Sequence, residues 1–419
     1  MQYLQQKIYD LLRRSEGFLK ADMVYLAKGG FWLSINHVVA MLAGFGLSLA
    51  FANLFPKESF GTYKFILSIA AILGTFSLTE MGTAVTQAVA RGFNGSLRQG
   101  FRLSLKWSFG ILLGGLGLGL YYYLNGNLVL SISFISVGLL LPISQSASLY
   151  NAYLLGKKDF KRISFYGMVH NILPAIVLTS TLILFPQLSA IIIVYFGIAV
   201  LVTLFLYRKT LLAYQADNSE QDPELPSYSG HLSAMEIIGK SSGYLDKILI
   251  FHYLGAIPLA IYAFAIAPVE QLQGGKKILT SLILPKSSEQ SFEELQRSAP
   301  RKTILLTLYA LCLAGIWILL APYFYKLFYP QYLDSVFFSQ VYSLTLLAIS
   351  GSVLEQTLVA HKKKRELYLY KTIVPVVRIA LFFILLPLFG LMGLIVTHVI
   401  IRSFSGVMAY YFVRHPISN

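Results

Sequence analysis

Residues 188–207 read LSAIIIVYFGIAVLVTLFLY, a stretch without a charged side chain, and Arg208 and Lys209 follow it directly. A helix needs about 20 mostly apolar residues to cross the hydrocarbon core of a bilayer. The stretch meets this requirement, and basic residues beside such a run are typical of its cytoplasmic end. It therefore predicts a membrane-spanning helix that ends in the cytoplasm.

Similar runs occur along the whole chain. Of the 419 residues, 56% are hydrophobic and 13% are charged, whereas roughly 25% of the residues of a soluble domain are charged. The sequence predicts an all-α integral membrane protein with about 12 transmembrane helices. The runs lie near 29–53, 60–82, 102–123, 128–155, 163–185, 188–207, 231–254, 258–284, 303–328, 335–360, 367–388 and 391–413.

The loops between these runs are short on one side of the membrane. The outer loops are only about four to ten residues long. A membrane glycosyltransferase, polymerase or ligase carries its catalytic residues on a sizeable outer loop, and this chain has no room for one. We therefore predict that the protein is not an enzyme.

Lysines and arginines concentrate in alternate loops. If the N-terminus is cytoplasmic, the inner segments hold nearly all basic residues outside the spans, and the outer loops hold Lys57 and little else. This asymmetry follows the positive-inside rule and predicts that both termini are cytoplasmic. It also accounts for the net charge of +15 without nucleic acid, because basic inner loops lie beside anionic lipid headgroups.

Two polar segments lie outside the predicted spans. Within a leader of about residues 1–25, Leu4, Ile8 and Leu11 fall at helical spacing among basic residues. This pattern fits either an amphipathic helix on the membrane surface or an ordinary polar leader. Residues 217–230 are acidic and contain two prolines, which indicates a cytoplasmic linker.

The two halves of the chain share landmarks in the same order. FGTYKFILSI at 60–69 resembles LAIYAFAIAP at 259–268, and basic loops precede both the fifth and the eleventh spans. The prolines of those two spans are twelve residues apart in each copy: Pro174 with Pro186, and Pro375 with Pro387. We interpret this as a duplicated six-span unit, with an N-terminal lobe over 1–216 and a C-terminal lobe over 231–419. Two parallel bundles that rock about a central cleft are a transporter architecture.

Three stretches carry a resemblance to a known family. They are LFPKESFGTYKFILSIAAILGTFSLTEMGTA at 54–84, YLDKILIFHYLGAIPLAIYAFA at 244–265 and LPLFGLMGLIVTHVI at 386–400. They resemble the polysaccharide transporters of the MOP (multidrug/oligosaccharidyl-lipid/polysaccharide) superfamily, the Wzx-type O-antigen flippases. The multidrug branch, MATE, shares this fold, so a cation-coupled drug or small-molecule antiporter is the alternative function.

The resemblance implies a location, a substrate and partners. It implies a multi-pass protein of the bacterial cytoplasmic (inner) membrane that moves undecaprenyl-diphosphate-linked oligosaccharide, the repeat unit of O-antigen or exopolysaccharide, from the cytoplasmic to the outer leaflet. The implied partners are this lipid-linked oligosaccharide and the phospholipid bilayer, with a polysaccharide polymerase and a chain-length regulator as further candidates. Nucleic acid is not among them.

Charged residues inside the spans are the candidate site residues, because a lone charge at mid-bilayer costs roughly 2.5–3.5 kcal/mol on insertion scales. Asp246 and Glu270 are predicted to compensate the cavity cations or to carry a coupling proton, and Lys240 or Lys247 is the expected partner of Glu270. The Asp246–Lys247 pair has an alternative, structural role in tying the seventh span to a neighbour. The predicted cavity cations, which would hold an anionic head group, are Lys240, Lys247, Arg378 and Arg402.

The remaining candidates belong to a predicted inner gate and to ion coupling. Lys276 and Lys277 either line the inner mouth or snorkel to headgroups. Glu80 and Glu355 lie near the inner ends of their spans and complete the gate candidates. The lone Cys312 and the scattered histidines offer no metal-ligand pattern, so we predict no metal and no cofactor, with H⁺ or Na⁺ as the candidate coupling ions. Because the mid-membrane set is net basic, it favours an anionic substrate over a drug cation.

Overall fold

The computed structural model describes residues 23–216, 220–289, 292–361, 363–415 and 417, and within them the chain is almost entirely helical. We number the spans in chain order. The first six are Met23–Leu54, Lys57–Gly74 with Met81–Ala90, Ser96–Trp107 with Phe109–Leu124, Leu128–Ala147 with Leu149–Gly156, Phe160–Leu184, and Leu188–Tyr214. The others are Leu225–Leu254, Ala256–Glu289, Phe292–Phe328, then Ser335–Ser343 with the 3₁₀ turn Leu344–Ala348 and Ile349–Ala360, and finally Lys364–Arg414, which holds the eleventh and twelfth spans.

Nine helical stretches among the described residues are long and apolar enough to cross a membrane. One of them, Arg365–Arg414, is 50 residues long and bends at Gly390, whose φ of 56° is not helical, so that it supplies two spans. The second and seventh spans fall outside this set. The helix Lys57–Gly74 of the second span carries three charged side chains in 18 residues, and the seventh span is too polar. The prediction of an all-α membrane fold is confirmed, while the cytoplasmic location of both termini stays a prediction.

Side-chain caps set the start of two spans in the first half. The Asn127 side chain accepts a hydrogen bond from the backbone N–H of Leu130 at 3.0 Å and starts the fourth span. The Asp159 carboxylate accepts one from the backbone N–H of Arg162 at 3.0 Å and starts the fifth. Each cap satisfies a backbone donor that the first helical turn leaves without a partner.

The second span is broken in its middle by a polar stretch. Its helix ends at Gly74 and resumes at Met81, and between them the Ser77 hydroxyl contacts the Gly74 carbonyl and the Gln145 side-chain oxygen at 2.7 and 2.9 Å. The backbone N–H of Glu80 donates to the Ser233 hydroxyl at 3.1 Å. Non-helical backbone at membrane depth is tolerated where protein surrounds it or where it lines a cavity.

The chain divides into two compact units. The first contains residues 1–50 and 73–234, and the second contains 51–72 and 235–419. The end of the first span and most of the second therefore group with the second half of the chain, a division that differs from the predicted boundary at 216. The prediction of two six-helix lobes stays a prediction.

The acidic segment between the halves is partly packed rather than a free linker. Asp222 is paired with Arg91, and its backbone N–H and carbonyl both bond the Gln99 side chain, at 3.2 and 2.9 Å. The seventh span begins at Leu225, inside the range predicted as linker. Pro226 lies in the first turn of that helix, where its fixed φ is favourable. Residues 217–219, and 1–22 of the predicted amphipathic leader, lie outside the described residues.

Within each unit, glycines allow two helices to approach closely. A Cβ atom on Gly115 of the third span would lie 2.5 Å from the Cα of Gly138 on the fourth. A Cβ on Gly351 of the tenth span would overlap Gly406 of the twelfth in the same way. Without a hydrophobic driving force between helices in lipid, such small-residue contacts stabilise the packing through van der Waals contact.

Candidate functional site

A buried carboxylate lies at the centre of the second unit. Asp246 on the seventh span is 2% exposed. The ammonium of Lys247 lies 3.3 Å from both of its carboxylate oxygens. The charge of Lys247, which is 20% exposed, therefore compensates that of Asp246 within the span.

Two further side chains complete the surroundings of this carboxylate. The Tyr262 hydroxyl, on the eighth span, donates to Asp246 Oδ2 at 2.5 Å, and His398 Nε2, on the twelfth, lies 2.7 Å from the same hydroxyl and 3.4 Å from Oδ2. Since the tyrosine has a single hydroxyl proton and donates it to the ionised Asp246, its oxygen accepts from His398. This assigns the proton of the imidazole to Nε2. Asp246, Tyr262 and His398 thus form one chain of hydrogen bonds.

A second ion pair lies on the eighth and twelfth spans. Arg402 Nη2 contacts Glu270 Oε1 at 2.5 Å and the Tyr342 hydroxyl at 3.1 Å, and Tyr342 itself donates to Glu270. Thr345 accepts hydrogen bonds from Arg402 Nη1 at 3.3 Å and from the Gln273 amide at 3.1 Å. The predicted partner of Glu270 was Lys240 or Lys247, and the structure pairs it with Arg402 instead.

The two ion pairs belong to one polar cluster, because the rings of Tyr342 and His398 are in contact with centroids 5.7 Å apart. We use the name charge cluster for Asp246, Lys247, Tyr262, Glu270, Tyr342, Arg378, His398 and Arg402. It draws side chains from the seventh, eighth, tenth, eleventh and twelfth spans. Ionisable residues inside membrane spans are rare, usually pair with one another, and mark substrate or ion pathways.

Cations outnumber acids in and around the charge cluster. Arg378 lies within electrostatic range of both Asp246 and Arg402, and its Nε is buried without a hydrogen-bond partner. Lys64, on the second span, lies within electrostatic range of Lys247, and its ammonium sits 5.1 Å from the Phe60 ring centroid. Four cations thus face two carboxylates, which gives this part of the second unit a positive excess.

The other predicted site residues lie at several places in the two units. Lys240 is half-buried on the seventh span, two turns before Lys247. Glu80 belongs to the first unit, where it accepts a hydrogen bond from Thr83 at 2.8 Å, and Glu355 is hydrogen-bonded with Tyr370. Lys276 and Lys277 lie in the helix Ala256–Glu289, but their side chains are outside the described residues. The gate assignments stay predictions.

Sequence reasoning missed the neutral members of the charge cluster. Tyr262 entered the sequence analysis only as a landmark of the repeat, Tyr342 as one tyrosine among 27, and His398 as one of several histidines in spans. For two of them a positional signal was available: Tyr262 lies two turns before Glu270 on the eighth span, and His398 lies one turn before Arg402 on the twelfth. Among the described residues, no group of three or more His, Cys, Asp or Glu side chains is arranged to hold a metal ion.

Comparisons with known proteins give a fold but no close relative. No family model matches the sequence, and no curated protein matches it. An inward-facing multidrug resistance MATE family transporter of the MOP superfamily superposes with a TM-score of 0.70 at 14% identity, over 92% of this chain and 97% of that one. The lipid II flippase MurJ, in an inward closed conformation, gives 0.66 at 14% identity, over 93% and 87%.

A third similar structure is described by the polarity of its pocket. It is a MOP superfamily transporter from Pyrococcus furiosus, described as having a binding pocket of reverse polarity, with a TM-score of 0.59 at 14% identity over 92% and 96% of the two chains. All three similarities cover nearly the whole chain at low identity. This chain therefore has the fold of the MOP superfamily transporters.

Proposed function

We propose that the protein is a multi-pass transporter that flips polyprenyl-diphosphate-linked oligosaccharide across a bacterial inner membrane, from the cytoplasmic to the outer leaflet, by alternating access. The observation that carries this proposal is the positive excess around Asp246 and Glu270 inside the spans. A diphosphate carries about two negative charges and cannot cross a lipid core unaided. Cations held at membrane depth offset that cost.

Arg378 is the cation best suited to the diphosphate. Lys247 and Arg402 are each engaged with a carboxylate, whereas the buried Nε of Arg378 has no partner. A guanidinium presents a planar fork of donors that matches phosphate oxygens. The Arg378 side chain therefore has hydrogen-bonding capacity left for an anionic ligand.

The similar structures support the proposal without deciding the substrate. They include a lipid II flippase, which by its name moves a lipid-linked precursor, and drug transporters of the MATE family. The saccharide, the inner-membrane location, and a polymerase and chain-length regulator as partners all rest on the resemblance of the sequence to the Wzx-type flippases. Coupling to H⁺ or Na⁺ is also part of the proposal, with Asp246 and its hydrogen-bonded neighbours as the carrier.

The alternative function is a cation-coupled antiporter of drugs or small molecules. This alternative is supported by the shared fold, since a MATE family transporter superposes on this chain with a TM-score of 0.70. A site for cationic drugs should carry an excess of acids, and the four cations and two carboxylates around Asp246 and Glu270 give the opposite sign. We therefore favour the anionic lipid substrate.

A flipping assay separates these two functions. Proteoliposomes containing a fluorescent polyprenyl-diphosphate disaccharide are treated with a membrane-impermeant quencher, and the lipid that becomes accessible reports flipping. We expect Arg378→Gln to lower the initial rate more than tenfold and Arg378→Lys to lower it less, because the charge is kept. Arg208→Gln, at the exposed end of the sixth span, is the control for loss of one positive charge. Efflux of a cationic dye by the wild type, without lipid flipping, would establish the antiporter instead.

A further inference from the structure

The first unit contains a cavity of about 660 Å³ that is separate from the charge cluster. It lies where the second span breaks, and its walls come from the second, third and fourth spans. Its volume falls within the range of about 300–1,000 Å³ that is usual for small-molecule sites. Under the predicted topology it lies in the cytoplasmic half of these spans, on the side where a lipid-linked precursor would enter.

The walls of this cavity combine polar and apolar side chains and carry no charge. Nine of the fifteen described residues that line it carry a hydroxyl or amide side chain, and none of the fifteen is charged or aromatic. Six of these groups lie on two spans: Thr79, just before the helix Met81–Ala90, with Thr83 and Gln87 on the second, and Gln145, Ser148 and Asn151 on the fourth. A polar wall at membrane depth needs a partner, either water or a polar ligand.

Several of these groups have hydrogen-bonding capacity left for a ligand. The Thr79 hydroxyl is buried and has no hydrogen-bond partner. Gln87 and Asn151 are exposed on the cavity wall, and each amide offers two donors and an acceptor. By contrast, the Gln145 side-chain oxygen is held by Ser77 at 2.9 Å, which fixes the orientation of that amide.

The lining selects the class of ligand by exclusion. A phosphate is held best by charged donors, a lipophilic cation by a carboxylate or an aromatic face, and a polyprenyl tail by walls that are apolar throughout. Glu80, which lies between the lining residues Thr79 and Met81 in the sequence, accepts a hydrogen bond from Thr83. A sugar carries several hydroxyls that each donate and accept, and amides and hydroxyls match this pattern without a charge.

We propose that this cavity of the first unit binds uncharged sugar, the class of group carried by a lipid-linked oligosaccharide. This inference rests on the proposed function and adds a second subsite to it. The substrate class is thereby narrowed to a lipid-linked oligosaccharide that contains neutral or N-acetylated rather than only acidic sugars.

The first test compares two lipids in the flipping assay. One is a polyprenyl diphosphate with a neutral disaccharide, and the other is the same lipid without sugar. We expect Asn151→Leu and Gln87→Leu each to lower the rate with the disaccharide lipid by about three- to tenfold, the effect of one lost hydrogen bond, and to change the rate with the bare lipid less than twofold. Ser136→Ala, also on the fourth span, removes a hydroxyl that is bonded only within its helix and should change neither rate.

The second test measures sugar binding without transport. Saturation-transfer NMR on the purified full chain is run with glucose, N-acetylglucosamine and glucuronic acid as probes. We expect signals from the two neutral sugars, their loss in the Gln87→Leu/Asn151→Leu double variant, and their retention in Arg378→Gln. Equal loss of flipping for both lipids, or unchanged sugar signals in the double variant, would overturn the assignment. If the wild type flips neither lipid, the proposed function fails, and the NMR result still decides whether the cavity binds sugar.

Discussion

The hydroxyl of Tyr262 offers a sharp test of the charge cluster. Tyr262→Phe removes one oxygen from a side chain with no exposed surface and takes away the 2.5 Å bond to Asp246 and the 2.7 Å bond to His398. A hydrogen bond to a charged group contributes roughly 1.5–3 kcal/mol, although measured values between membrane helices average about 0.6 kcal/mol. Because Asp246 is 2% exposed and water cannot replace the lost donor, we expect a loss of about 2 kcal/mol.

The matched control is Tyr325→Phe in the same unit. Tyr325 is also fully buried, but its hydroxyl donates to a neutral acceptor, the backbone carbonyl of Phe264, at 2.8 Å. A neutral bond contributes about 1 kcal/mol. For a unit of this size, a loss of 1 kcal/mol lowers the unfolding temperature by about 2–4 °C. We therefore expect Tyr262→Phe to lower the unfolding temperature by about 4–8 °C and Tyr325→Phe to lower it by about half of that.

The flipping assay distinguishes the two variants further. Tyr262→Phe breaks the hydrogen-bonded chain from Asp246 to His398, so we expect it to lower the flipping rate and alter its pH dependence. Tyr325→Phe should leave both unchanged, since it does not contact the charge cluster. If the two variants match in both unfolding temperature and pH profile, the chain from Asp246 to His398 is structural and the reasoning fails.

Two further predictions concern packing in the first unit. Gly115→Val should lower the free energy of unfolding by about 1–3 kcal/mol, because the new side chain would overlap Gly138. Gly117→Val should be tolerated, because the space beside Gly117 is open. The monodisperse fraction on size-exclusion chromatography should therefore be lower for Gly115→Val than for Gly117→Val. Arg91→Gln removes the ion-pair partner of Asp222, so we expect faster protease cleavage in the acidic segment after the sixth span, and an unchanged cleavage rate would contradict this.

The spans were predictable because the signal is local. A run such as 188–207 must be a helix in lipid, whatever surrounds it, since each backbone polar group has to be satisfied within the segment. The interruption of the second span was not predictable, because Ser77 and Glu80 are stabilised by Gln145 and Ser233, far away in sequence. A pattern read along one helix does not include such partners.

The same limit explains the errors at the charge cluster. Sequence spacing correctly marked Asp246 and Glu270 as charges that need compensation, but it assigned Glu270 to a lysine of the seventh span. Its partner, Arg402, is 132 residues away and becomes a neighbour only because the eighth and twelfth spans pack together. Tyr262 and His398 were counted as uncharged residues. A search for charged residues inside the spans therefore did not identify them as members of the site.

The sign of the charge cluster decides which transport step needs an ion. Outward movement of a diphosphate with about two negative charges is favourable in an inside-negative membrane, by roughly 2.3 kcal/mol per charge per 100 mV. The same potential also favours the inward return of an empty site with excess positive charge, but its cations then lack the diphosphate as counter-charge at membrane depth, which is costly. Release of a coupling cation from the hydrogen-bonded chain at Asp246 would lower that cost. We therefore expect collapse of the H⁺ or Na⁺ gradient to slow repeated cycling of the lipid but to leave the first turnover intact. A first turnover slowed as much as the later ones would show that the ion acts in the outward step, and cycling unaffected by both gradients would show that no ion is coupled.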